Sequence, residues 1–237
     1  MTTWWPWARI AAAALTAAAI VAQLIRTVGR ALDATDPWAA HLPTVATNFF
    51  SFFTILSNVG AVVALAAGGV WMLRNAAPSE GASTAEQQPE PRWLATLLIC
   101  VATYMITTGI VYNVLLRGIP LDQGATVWWS NEVLHVVAPA FLLADVLLAP
   151  RRRRLPWTTL WIVAAFPAVW AVYTLLRANH VIGPGSGDPW WYPYPFLDPH
   201  LVPGGYVGVA GYIVGIAIAV VAIGAGVLWI TRRRSVA

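Results

Sequence analysis

The chain contains no lysine and little charge of any kind. All 14 basic residues are arginine, and Asp, Glu, Lys and Arg together make up 10% of its 237 residues. A soluble domain carries roughly a quarter charged residues, so this composition excludes an ordinary water-exposed surface. With 59% hydrophobic residues and a mean hydropathy of +0.66, the chain reads as an integral membrane protein. A single cysteine, Cys100, excludes an internal disulfide. The sequence pI of about 9.6 comes from arginines at the ends of apolar segments, a placement that points away from nucleic acid as a partner. Internal repeats are absent too, and so are the duplicated halves of many transporters.

What the chain does have is long apolar runs. Six stretches, about 8–28, 47–73, 93–116, 127–149, 156–177 and 206–230, reach the ~20 residues that cross a bilayer. The first lacks a strongly charged leading region, and its apolar run extends from Ile10 to Ile25. It is read as a retained span and not as a signal peptide. The expected fold is all-α, a single integral membrane bundle of six transmembrane helices. If the N-terminus is inside, Arg9, Arg74, Arg92, Arg151 to Arg154 and Arg232 to Arg234 fall inside, ten in all, and Arg26, Arg30, Arg117 and Arg177 fall outside. The positive-inside rule then predicts both termini on the cytoplasmic side of a bacterial plasma membrane.

The connecting segments differ in kind. Residues 75–92 are rich in Pro, Ser and Glu and read as a flexible cytoplasmic linker without core-forming residues. The run Arg151 to Arg154 reads as a topological stop signal at the inner face, with contact to anionic lipid as the other reading. The outer segment 178–205, "ANHVIGPGSGDPWWYPYPFLDPHLVPGG", is long and aromatic. It is expected either to anchor at the interface or to form a lid over a pocket.

Polar residues inside the spans carry the functional signal. In a continuous second span, Thr47, Ser51, Thr54 and Asn58 recur at helical spacing and would share one face, opposite Phe49, Phe53 and Leu56. Such a stripe faces a bundle interior or wet cavity, or serves as helix–helix contact. The fourth span adds Asn131, Glu132, His135 and Asp145. Asn131 or Glu132, one helical turn before His135, could orient its ring. Asp145 is expected near the inner interface. Thr54 and His135 lie seven and eight residues into their spans, on the order of 10–12 Å below the outer helix ends. A hydroxyl level with an imidazole is the minimum for an activated nucleophile. Thr107, Thr108, Tyr112 and Asn113 end the third span at the same side. Ser51, Asn58, Asn131 and Tyr112 are candidate oxyanion donors.

Three stretches, "FFTILSN" around Thr54, "WWSNEVLH" around His135 and "YPYPFLD" at 192–198, resemble the androgen-induced-gene family of membrane proteins, which also includes the androgen-dependent TFPI-regulating protein. The resemblance covers roughly residues 45–210. It rests on Thr54 after Phe52 and Phe53, on Trp129, Asn131 and His135 in order, and on Tyr194 to Leu197. The polar residues after Thr54 depart from the animal proteins. The resemblance implies a Thr–His pair that hydrolyses fatty acid esters of hydroxy fatty acids, with Thr54 as nucleophile, His135 as base and Tyr194 as a further substrate-contact candidate. It implies no cofactor and no metal, a lipid ester as partner and a site open to the outer leaflet. Oligomeric state is left open. The competing expectation is a lipid or small-molecule transporter or binding protein that uses the same polar pocket. A haem reading is weaker, because His41, His180 and His200 fall in outer loops and leave His135 without a second axial ligand.

Overall fold

The structure is a computed structural model that describes residues 4–75, 88–119 and 126–235. Among these residues it is all-helical. The helices are α1 (Trp5–Asp33), α2 (Leu42–Ser51), α3 (Phe53–Arg74), α4 (Arg92–Val111), α5 (Trp128–Glu132), α6 (Ala138–Leu148), α7 (Thr159–Ala178) and α8 (Tyr206–Arg234). A π-helical turn, Tyr112–Leu116, extends α4, and a second, Val133–Val137, joins α5 to α6. The result is six helical segments long and apolar enough to cross a membrane. The Trp5 indole donates to Asp145 and Arg234 donates to the Val146 carbonyl. Both termini therefore lie at one end of the bundle.

Helix α4 is the axis, with Leu94, Leu98, Met105 and Thr103 fully buried. It packs on α3, α6, α7 and α8. Helices α7 and α8 are the least buried segments, and they present Val169, Leu176, Val207 and Ile218 outward. An apolar exterior of this kind is stable only in lipid. Helices α1 and α3 approach closely at Gly68 and Gly69. A Cβ at Gly69 would sit 2.8 Å from the Pro6 carbonyl oxygen, and one at Gly68 would sit 2.7 Å from Arg9 Nη1. Small residues here let two backbones meet.

Three sequence expectations change. The second span is not one helix. Phe52 is extended (φ −68°, ψ 126°) and separates α2 from α3. Phe52 packs edge-on against Trp191 and Tyr194, and this distant contact holds the break. The stripe is broken with it: Thr47 is exposed and bonds its own turn, and Phe49, expected on the outward face, is buried. Secondly, most of the expected linker (76–87) lies outside the described residues, but its described end is no loose loop. Glu90 is fully buried against Arg9 and Arg152. Finally, the arginine run is structural as well as topological. Arg152 is buried against Asp145, Arg151 (φ 62°) bonds the carbonyls of Gln88 and Asn75, and Arg153 bonds that of Glu90.

Candidate functional site

Because the chain breaks at Phe52, Thr54 is the second residue of α3 and not a mid-helix position. First-turn N–H groups have no intrahelical partner, and the helix dipole places partial positive charge there. The Thr54 N–H donates to the Tyr194 hydroxyl oxygen at 3.1 Å, and the two hydroxyls are 3.1 Å apart. With its oxygen accepting from that N–H, Tyr194 keeps its own proton to give to Thr54 Oγ1 or to a substrate oxygen. Burial pushes the Tyr194 phenol above the ordinary tyrosine range, so it is a neutral donor.

The aromatic segment 190–197 is packed into the bundle, and Tyr194, Phe196 and Leu197 line a cavity beside Thr54. Trp191, Tyr192, Tyr194 and Leu197 are buried in a second apolar core with Phe49, Phe52 and Ile55. Tyr194 stacks on Phe196. His200 is held by Asp198 and by stacking on Trp190, and it does not line the Thr54 cavity.

Thr54 lines a cavity of about 430 Å³ between α4, α7, α8 and the aromatic segment. Thr107, Thr108, Tyr112 and Tyr194 are its other hydroxyl-bearing residues, and the remaining walls are apolar, with Pro167, Leu175, Ile213 and Val220 among them. Thr107 is bonded to the Thr103 carbonyl, whereas the buried Thr108 hydroxyl has no partner among the described residues. Apolar walls with a few convergent polar groups suit a ligand that is mostly hydrocarbon.

His135 lies on the π turn after α5. Its Nδ1 is 2.9 Å from the Asn131 carbonyl oxygen. A carbonyl only accepts, so Nδ1 carries the proton and Nε2 keeps a free lone pair. The ring stacks on Tyr112 at 3.9 Å between centroids. Tyr112 is itself on a π turn, and its hydroxyl accepts from Asn131 Nδ2 at 2.5 Å. Such turns are frequent at functional sites. Glu132 does not orient the ring, because it pairs with exposed Arg117 at 2.9 Å.

The structure thus unites Thr54, Tyr112 and Tyr194 in one cavity, while His135 stands behind Tyr112 and makes no hydrogen bond to Thr54. Asn58 Nδ2 bonds both the Thr54 carbonyl and the Leu134 carbonyl, so α3 is tied to the residue before His135, while the His135 ring itself turns to Tyr112 and the Asn131 carbonyl. Ser51 faces away, toward the Tyr173 hydroxyl at 3.0 Å. The sequence places Thr108 among the polar residues ending the third span but gives no sign of its unpaired hydroxyl or of the break at Phe52. An orphaned hydroxyl is invisible without partners, and Phe52 carries no turn chemistry.

Compared with protein-family models, curated proteins and solved structures, the chain matches none. The family resemblance stands on its three sequence stretches alone.

Proposed function

We propose that the protein is a membrane-embedded hydrolase of lipid esters, with Thr54 as nucleophile and His135 as general base. The observation that carries this reading is the Thr54 hydroxyl at a helix N-terminus, bonded to the Tyr194 hydroxyl, on the wall of an otherwise apolar cavity. An acyl chain fills the apolar part between α7 and α8 and brings its ester carbonyl to Thr54. Thr54 Oγ1 forms a bond to the carbonyl carbon while its proton passes to Nε2 of His135. The C–O bond to the alcohol then breaks, and the alcohol leaves with that proton. Water, deprotonated in turn by His135, releases the acid and restores Thr54. The Tyr194 O–H and the electropositive start of α3 face the developing oxyanion. Contacts between nucleophile and base are often long without substrate, and here a closing shift or a bridging water would join Thr54 Oγ1 to His135 Nε2. The proposal extends to both termini being cytoplasmic and the cavity facing the outer leaflet.

The missing Thr54–His135 bond favours a second reading, a lipid-binding or transport protein in which the same hydroxyls only contact the ligand. Intact-protein mass after incubation with a fluorophosphonate or activated lipid ester separates the two. The hydrolase reading expects a covalent adduct on wild type that Thr54→Ala abolishes. A folded, monodisperse wild type that takes up no adduct moves the assignment to ligand binding.

A further inference from the structure

A second cavity, of about 100 Å³, lies between the end of α1, α2 and the segment that reaches Trp191. Phe52 lines it and Phe53 lines the Thr54 cavity, so the break between α2 and α3 borders both. Thr27, Asn48 and Trp191 line the second cavity, and they are only 7%, 4% and 4% exposed. The Thr27 hydroxyl, Asn48 Nδ2 and Trp191 Nε1 have no hydrogen-bond partner among the described residues. Three orphaned polar groups around one small space are uncommon, since buried polar groups are normally paired.

Their chemistry has one sign. Arg177 Nη2 donates to Asn48 Oδ1 at 2.6 Å. A guanidinium has no acceptor, so this bond fixes the amide orientation and leaves an NH₂ group as the orphan. An indole N–H is also donor only. Thr27, unlike Thr16 in the same helix, does not return its hydroxyl to a carbonyl one turn back. Arg30 lines the cavity as well, and the Arg177 guanidinium lies 5.6 Å from the Trp191 ring centroid. None of the described lining residues is acidic. An amide NH₂, an indole N–H and a hydroxyl free to donate, beside positive charge, together suit an oxyanion. The donors are neutral and one of the two arginines is already engaged, which suits a single negative charge. The volume holds a head group and not a whole lipid.

We propose that this cavity binds a carboxylate, carried either by a small free acid or by the head of a fatty acid. The site stands whether or not Thr54 is a nucleophile. The test uses the full chain in phosphatidylcholine nanodiscs, titrated with carboxyl-¹³C acetate and, separately, with carboxyl-¹³C oleate, with empty nanodiscs subtracted. Saturable change of the carboxyl resonance is expected with wild type. Affinity should fall by about tenfold or more in Trp191→Phe, which keeps an aromatic side chain but loses the N–H, and in Asn48→Asp, which sets a negative charge against the ligand. Binding of acetate identifies a free acid as sufficient, and binding of oleate alone identifies a chain-borne carboxylate. No saturable binding of either, or binding unchanged in both variants, overturns the proposal and leaves the cavity holding water only. The readout is binding and not turnover, so failure here leaves the hydrolase reading where it stood.

Discussion

Tyr194 and Thr108 are the two side chains around Thr54 whose removal has an unambiguous sign. Tyr194→Phe deletes the hydroxyl that meets both the Thr54 N–H and Oγ1 and keeps the stacked ring. If that hydroxyl supports the oxyanion, esterase turnover falls by about 10²–10³, with little change in apparent substrate affinity. A fall in affinity with turnover retained would make it a ligand contact only. Thr108 is the converse case. Its hydroxyl is buried and unpaired among the described residues beside the cavity, so Thr108→Val removes an unsatisfied group at nearly constant volume. Unfolding stability should rise by about 1 kcal/mol, readable as a higher melting temperature in detergent. A lower one would mean that the hydroxyl has a partner, such as bound water.

At the level of the helix, what was legible was whatever depends on local composition. Six apolar segments follow from hydropathy, and each coincides with a helix to within a few residues except the second. That exception is set by contact across the chain. Phe52 is extended because Trp191 and Tyr194 stack around it, and "FFSFFT" contains neither Pro nor Gly to announce a break. The helical stripe drawn through Thr47, Ser51, Thr54 and Asn58 assumed the continuity that this break removes. Thr47 is exposed, Ser51 turns to Tyr173 of α7, and of the four only Thr54 lines the cavity. Likewise the π turns at Tyr112 and His135 follow from packing, where Gly109 meets the backbone of His135 and the ring of Pro139. Between α1 and α3 the constraint is tighter. Gly69→Ala places a Cβ 2.8 Å from the Pro6 carbonyl oxygen and 2.7 Å from Ile10 Cγ1. Backbone cannot yield as a side-chain tip does, so the substitution should cost about 1–3 kcal/mol, read as a lowered melting temperature. Wild-type stability in Gly69→Ala would show that α1 is free to move away from α3.

Across the whole molecule, the end opposite Tyr194 is closed by charge. Arg9 and Arg152 meet Asp145 and Glu90, all four nearly or fully buried, with Arg9 Nε at 2.8 Å and Arg152 Nη2 at 2.6 Å from Asp145 oxygens. These residues come from α1, the approach to α4, α6 and the segment after it, so the cluster ties distant parts of the chain together. Its carboxylates are the ones that hydropathy reads as interfacial or as linker, because a charge is legible in sequence while its partner is not. Two cations balance two anions, which gives the cluster a distinctive response to mutation. Arg9→Met leaves two buried carboxylates against one arginine, and Asp145→Leu leaves two arginines against one carboxylate. Each should cost about 3–5 kcal/mol, the penalty for an uncompensated buried charge. The double variant keeps Glu90 with Arg152, a neutral pair 3.6 Å apart, and should lose far less than the sum of the single losses. Thermal unfolding of the three variants in nanodiscs measures that difference. Strictly additive losses would mean that the four charges do not act as one unit, and that the bundle is held at this end by apolar packing of Trp5, Met72 and Ala149 instead.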